Sequence, residues 1–476
     1  MEDAQQLRPT TDEILAECPR FRILVVGRSG VGKSSLINHA FGVDLATVSS
    51  KRRGKSTIEK EITSTHNDRF VLHDSMGFEP GNTKTFETAK KFLESRGEKV
   101  PLKERVHAIW LCIQVPHADS RVFETGDEQF LELAATVKVP VVVVFTQFDT
   151  LYSRMEEELT DEEMELPDED IQQLCSQRAD AEFKKICVQP LERMDSTLRH
   201  ARTSGLGENT KPDRPALTAL ITTTQDLLDG LGGESRDTVW LVSAMAQRAS
   251  ARAKINSSIE IGMKKYWRGI ASSTKFSGLK LEKCLETIHS DIITAWNFSD
   301  PEGLLRDKPF LDQVQTVTQL VVPGTTNARS WFTNVERLQT LMGIGTSIAS
   351  VTHPILFPVV AAIGLSVMFV KWIANVYTQT PEVLRLFMGY IVDLTLVLDQ
   401  LFLVIVARSP PRVLTTEDIN VALEKFKNSV MENVHREIRE YANKATFSDI
   451  IRSNRAEEKI AELINNHRAK RAEPES

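Results

Sequence analysis

Apolar positions in the first half of the chain come in short blocks. Ile23 to Val26 is a continuous apolar run, followed by glycines and then by a segment with Leu36, Ile37 and Ala40 on one helical face. That order predicts a strand, a tight turn and an amphipathic helix. Further short runs, Phe70–His73, Val106–Gln114, Pro140–Phe145 and Thr238–Val242, read as strands that each end in polar residues. Val106–Gln114 is apolar almost throughout, as a strand covered on both faces is. A mobile polar loop and an edge strand around Ile58 to Thr65 complete the set. The pattern predicts an α/β, doubly wound domain with a mainly parallel sheet, whose ligand site lies at the carboxyl ends of the strands.

From Ser250 onward only helical periodicity remains. Ala251–Ala271 and Leu279–Phe298 show it, and so does the charged stretch Thr415–His467. The expected organisation is an N-terminal extension (1–20), the α/β domain (21–249), and an all-α domain (250–467) with an apolar hairpin at 338–407. A disordered tail (468–476) closes the chain. Tyr266, Trp267 and Trp296 are expected in the helical core, and His289 in a structural role. Inside the first domain, Thr150–Asp237 is far longer than one crossover helix needs. It opens on MEEELTDEEMELPDED, expected as a solvated, partly disordered helix, with docking of a basic partner as the alternative.

The glycine stretch carries the chemistry. Gly27-Arg28-Ser29-Gly30-Val31-Gly32-Lys33-Ser34 fits G-x-x-x-x-G-K-[ST] between a strand and a helix. Backbone N–H groups from Ser29, Gly30, Val31, Gly32, Ser34 and Ser35 are placed to cradle phosphates at a helix N-terminus. Lys33 is expected on the β- and γ-phosphates, and the Ser34 hydroxyl on Mg²⁺. After the Phe70–His73 strand, Asp74-Ser75-Met76-Gly77 forms D-x-x-G. Asp74 is expected in the metal shell, and the Gly77 N–H on the γ-phosphate. Thr57 is the expected further ligand of metal and γ-phosphate. Lys51, Arg52, Arg53 and Lys55 suit either a solvated turn or a contact for phosphate or a partner.

Together these segments, from about Arg22 to Ala249, resemble the Ras-like superfamily of GTPases. The form GRSGVGKS is closest to septins, immunity-associated nucleotide-binding proteins and chloroplast-import GTPases, and is similar to the Era-like group. The resemblance implies binding of GTP and GDP with Mg²⁺, and catalysis by Lys33 and Thr57. It makes Asp149 the acceptor for guanine N1–H and the 2-amino group, within Thr146-Gln147-Phe148-Asp149. Ser243-Ala244 becomes the loop whose N–H donates to guanine O6. These residues argue against an ATPase or kinase, the competing reading. Gln147 stands where the family carries a lysine over the base. Gly30 stands where potassium-activated relatives carry asparagine. Phe78 stands where a water-orienting glutamine is usual, so slow hydrolysis is expected unless a partner completes the site, as in GTPases that dimerise across their nucleotides.

The hairpin has two readings. Leu338–Pro381 carries one charged side chain, Lys371, and includes the 16-residue run Ile355–Val370, interrupted by Pro358, Gly364 and Ser366. Leu386–Ala407 is apolar apart from Asp393, Asp399 and a few neutral polar residues, and Thr380-Pro381-Glu382 starts it as an N-cap and N1 proline would. A membrane hairpin would place two aspartates in lipid at about 2.5–3.5 kcal/mol each. A helical hairpin buried in the all-α domain avoids that cost. A third reading packs it in one nucleotide state and exposes it in the other.

Composition narrows the class only a little. With 476 residues, 41% hydrophobic and 26% charged, the chain has material for two or three cores. A net charge of −7 argues against a general nucleic-acid binder and leaves room for a local basic patch. Five cysteines without C-x-x-C spacing indicate neither a disulfide framework nor zinc. The polar, acidic start is unlike a secretory signal, so a cytoplasmic protein is expected, with membrane association left to the hairpin.

Overall fold

In the computed structural model, the described residues are 9–28, 30–41, 58–59, 61–64, 67–74, 83–97, 100–116, 121–205, 214–229, 236–262, 281–322, 381–408, 413–444 and 455–469. The chain divides into two compact units, one made of Ile14–Ser250 with Glu473–Ser476, the other of Met1–Glu13 with Ala251–Ala472. After helix α1 (Thr10–Glu17), the first unit holds β1 (Phe21–Val26), α2 (Lys33–Phe41), β2 (Ile62–Ser64), β3 (Asn67–Asp74) and α3 (Thr83–Ser95). It continues with β4 (Ala108–Gln114), α4 (Thr125–Val137), β5 (Val141–Thr146), α5 (Phe148–Glu157), α6 (Asp161–Met164) and α7 (Asp168–Phe183). A π-helical turn, Lys184–Val188, leads into α8 (Gln189–Met194), β6 (Arg199–Arg202), α9 (Arg214–Asp229) and α10 (Arg236–Ala246).

The six strands run in the order β2-β3-β1-β4-β5-β6, with only β2 antiparallel to its neighbour. This is the expected doubly wound α/β sheet. Strands β1, β4 and β5 read as unbroken apolar runs because helices cover both faces. Leu24, Leu111, Val143 and Phe145 pack against Phe92, Phe130, Met155 and Phe183 on one face. On the other, Trp110 donates its Nε1–H to Thr224 of α9 at 3.1 Å and lies near Phe41 of α2.

Two expectations are corrected here. Thr238–Val242 is not a strand but part of helix α10, with Val239, Val242 and Ala246 buried at helical spacing. A short apolar run fits a buried helix as well as a strand, and period alone does not separate them. The sixth strand is instead Arg199-His200-Ala201-Arg202, where only Ala201 is buried. It is an edge strand that needs few apolar side chains. The acidic stretch is solvated as expected but ordered: α6 begins on a capping box between Thr160 and Glu163, and α7 seats Cys175, Ala179 and Phe183 in the core. Cys18, Cys112, Cys175 and Cys187 are buried thiols outside any disulfide, and burial pushes the Cys18 and Cys187 thiols up to about 12.

The second unit is helical: α11 (Ala251–Ile261), α12 (Leu281–Trp296), α13 (Lys308–Gln319), α14 (Pro381–Val406), α15 (Thr416–Ser429), α16 (Met431–Lys444) and α17 (Arg455–His467). Helix α14 is its axis, packed by each of the others. Residues 385–406 are long and apolar enough to cross a membrane, yet 83% of their most apolar window is buried by protein. The aspartates that oppose lipid are satisfied inside the bundle. Asp393 accepts from Thr318 Oγ1 and His435 Nε2, both at 3.0 Å, and Asp399 accepts from the Ala469 N–H at 2.7 Å. The other arm of the expected hairpin, 338–380, lies outside the described residues, as do Tyr266 and Trp267. His289 is structural, bonded to Tyr390 Oη and the Leu305 carbonyl, each at 2.8 Å. The expected N-terminal extension is tied in: Asp291 accepts the backbone N–H groups of Thr10 and Thr11 at 2.8 and 2.7 Å, satisfying the first turn of α1.

Buried titratable groups give the α/β unit a pH dependence. Burial pushes His73 and His107 down to about 4, and Asp127 up to about 6. Between about pH 6.5 and 4 the unfolded imidazoles hold protons that the folded ones refuse, so stability falls as the pH drops through that window. Asp127 acts oppositely, because its folded carboxyl takes a proton that the unfolded one does not. Two histidines outweigh one aspartate, and about 2 kcal/mol is expected to be lost from about pH 7 to about pH 5. Denaturation read by hydrogen exchange in β1 and β4 checks this. His107→Gln, which keeps an N–H donor for the Leu102 carbonyl, should flatten the dependence.

Candidate functional site

The strand register gathers the motifs at one edge of the sheet. Val25 pairs with Asp74, Val26 with Leu111, Gln114 with Thr146, and Phe145 with Arg202. The glycine loop after β1, Asp74 at the end of β3, and the polar residues after β5 and β6 therefore share the carboxyl edge.

The glycine loop is shaped by its backbone. Gly27 has φ +138°, and a Cβ there would meet the Cys112 carbonyl oxygen at 2.2 Å, so only glycine lets the loop leave β1 against β4. Gly30 and Gly32 have φ of +84° and +89°, in the region glycine favours. Helix α2 then starts at Lys33, with Val31 buried and Ser34 and Ser35 half-buried in its first turn. First-turn N–H groups have no intrahelical acceptor, which is what an anion requires. The Lys33 ammonium folds back over the loop and donates to the Gly27 and Arg28 carbonyls at 2.8 and 2.6 Å. Arg28, singled out by no sequence argument, pairs with Glu124 ahead of α4 at 3.0 Å. Ser29, Thr57, Gly77 and Phe78 lie outside the described residues, and Asp74 is described by its backbone alone.

The second half of the site meets the first directly. Thr146 ends β5 with its Oγ1 donating to the Ile113 carbonyl at 3.4 Å. Gln147 has φ +59°, and its amide donates to the Gly30 carbonyl at 3.2 Å. The residue in the lysine position thus joins the loop after β5 to the glycine loop. Asp149, in the first turn of α5, accepts the Gly205 N–H at 3.4 Å. The Phe148 N–H donates to the Thr203 carbonyl at 3.1 Å, and the Arg202 guanidinium stacks 4.1 Å from the Phe148 ring centre.

Gly205 stands where Ala244 was expected. Ser243 and Ala244 sit inside α10, buried, in a helix whose interior N–H groups serve its own carbonyls. The loop at the carboxyl end of the sixth strand is Thr203-Ser204-Gly205. Its only signal in the sequence is a small-residue turn after a weak polar strand.

The oxygen donors of the site suit magnesium. The Ser34 hydroxyl stands in the first turn of α2, and Asp74 ends the strand beside β1; a hydroxyl and a carboxylate are hard ligands of the kind Mg²⁺ takes alongside phosphate.

Residues 22–147 match the family described as 50S ribosome-binding GTPase, and residues 304–474 match a domain of unknown function, DUF8505. The chain is 26% identical over 144 residues to a probable GTP-binding protein EngB of Flavobacterium psychrophilum, covering 30% of this chain and 67% of that protein. It is 26% identical over 153 residues to the GTPase Der of Ureaplasma urealyticum, covering 30% of this chain and 33% of Der. With the GTPase Era of Clostridium acetobutylicum it shares 29% over 127 residues, 27% of this chain and 40% of Era.

Proposed function

We propose, on the premise that residues 21–249, of which 22–147 match the GTPase family, form the G domain of a Ras-like P-loop GTPase, that this chain is a GTP/GDP switch with slow intrinsic hydrolysis. One observation carries the reading: Gln147 donates to Gly30, and two residues later Asp149 faces the Gly205 N–H. A phosphate cradle and a purine-recognising carboxylate are thereby built as one surface. Asp149 accepts from guanine N1–H and the 2-amino group, and the Ser204-Gly205 backbone donates to O6. Lys33 leaves the loop carbonyls for the β- and γ-phosphates and offsets their charge. Bound magnesium, held through Ser34, Asp74 and Thr57, would supply further charge neutralisation. Thr57 and Gly77 follow the γ-phosphate and release it after hydrolysis. Phe78 has no group to orient water, so turnover is slow until a second copy facing the nucleotide completes the site.

Binding of fluorescent GTP by the full chain tests this, with competition by unlabelled ATP and xanthosine triphosphate. GTP should win over ATP by at least about a hundredfold, because an adenine 6-amino group offers a donor where O6 should accept. Asp149→Asn should weaken GTP by about a hundredfold and bring xanthosine triphosphate close to wild-type GTP affinity, since an amide N–H donates to the 2-oxo group. Equal competition by ATP overturns the reading. Specific activity that rises with protein concentration is the expected mark of assembly across the nucleotide; a constant value removes that part.

A further inference from the structure

A buried polar chain runs beneath the two segments that border the expected γ-phosphate contacts. Arg22 of β1 is 5% exposed and sends Nη1 to Glu61 Oε1 at 2.5 Å and to His73 Nε2 at 3.0 Å. His73, fully buried near the end of β3, faces the Ile58 carbonyl through Nδ1 at 2.8 Å. A guanidinium only donates, so Nε2 accepts, and the ring proton sits on Nδ1 and is donated to Ile58. Arg22 is itself fixed: its N–H donates to His107 Nδ1 at 2.8 Å, and its Nη2 to the Lys103 carbonyl at 3.2 Å.

The location gives this chain its meaning. His73 directly precedes Asp74, and Ile58 directly follows Thr57. Among the described residues, the β2–β3 ladder ends at the Ile62–Leu72 pair, short of Ile58. Side chains hold the described residues on either side: Glu61 pairs with Arg22 and, at 3.6 Å, with Arg20, and the Ile58 carbonyl meets His73. The Ile58 side chain is 4% exposed, so the tether is a packed anchor rather than a surface contact.

We propose that His73 is a positioning residue for γ-phosphate sensing: oriented by Arg22, it ties the backbone beside Thr57 to the strand that ends in Asp74. Ile58, next to Thr57 in the chain, is then already anchored when a triphosphate arrives, and a diphosphate draws nothing from the tether. The inference rests on the GTP-switch reading and adds to it the residue that couples the two loops.

The test uses the full chain with the N-methylanthraniloyl derivatives of GDP and of the non-hydrolysable GTP analogue GMPPNP. His73→Leu should weaken GMPPNP by about tenfold and GDP by less than about twofold, the span of one lost hydrogen bond. His73→Asn, which carries both a donor and an acceptor, should recover at least half of that preference on a logarithmic scale. Equal losses for both nucleotides, or none, overturn the proposal. In the unsubstituted chain, peptides spanning 58–64 should exchange amide hydrogens more slowly with GMPPNP than with GDP. Equal exchange overturns the proposal whether or not the leucine chain folds. A wild-type chain that binds neither nucleotide removes the switch reading and this role together. A wild type that binds both, beside an unaltered leucine variant, removes the role of His73 alone.

Discussion

Lys33→Ala is expected to abolish nucleotide binding, lowering affinity for both GDP and GTP by at least about a thousandfold. The reason is the placing of one cation. Its ammonium lies over the glycine loop, 2.8 and 2.6 Å from the Gly27 and Arg28 carbonyls, in a cradle that otherwise offers only backbone dipoles. A phosphate chain entering that cradle replaces two neutral acceptors with charged ones, and charge-assisted bonds in a partly closed site are the stronger kind. Without the side chain the N–H groups remain but the counter-charge is gone. Folding should be nearly untouched, because Lys33 is only half-buried, and melting should stay within a few degrees of wild type. Fluorescent GDP titration with a parallel thermal melt checks both halves. Retained tight binding in a folded variant would exclude the glycine loop as the phosphate site.

In the helical unit the largest expected effect is that of Asp393→Ala, a loss of about 3–5 kcal/mol. Asp393 is fully buried on the axial helix and links it to two others, through Thr318 of α13 and His435 of α16. His435 is equally buried, and among the described residues its Nδ1 has no partner to compensate. Truncation to alanine removes the acceptor for an imidazole and a hydroxyl at once, leaving both unpaired inside a core, and adds a cavity. The double variant Asp393→Leu with His435→Leu should recover much of the loss, since replacing both members by apolar groups removes the unpaired atoms. Chemical denaturation followed at α14 and α16 by hydrogen exchange provides the measurement. An Asp393→Ala chain as stable as wild type would mean that water already satisfies the pair.

The same aspartates show how far sequence reading extends. As letters, Asp393 and Asp399 in a long apolar helix are compatible with a membrane segment bearing two costly charges or with a core helix bearing two satisfied ones. The partners that distinguish these readings, Thr318, His435 and the Ala469 backbone, lie 75, 42 and 70 residues away and carry no local signal. His289 was legible as structural because a lone histidine on an apolar helical face seldom has ligand company. Its bond to Tyr390 Oη, 101 residues further on, was not legible.

What the sequence determined by itself was the glycine loop and the strand–turn–helix around it, the apolar strands β1, β4 and β5, the Thr146–Asp149 motif, and the change to an all-helical second half. These are local: contiguous residues set the φ angles of Gly27, Gly30 and Gly32, and a strand buried on both faces must itself be apolar. Only the tertiary structure decided which segment is the sixth strand, and so which backbone meets Asp149. Arg199–Arg202 is a strand because Val142 to Phe145 offers it an edge to pair with, whatever its own side chains prefer, while Val239 to Val242 is apolar enough for either period and becomes helix by packing on the sheet. An edge strand takes its identity from its neighbour's unpaired N–H and C=O groups, and that neighbour is 57 residues away in the chain.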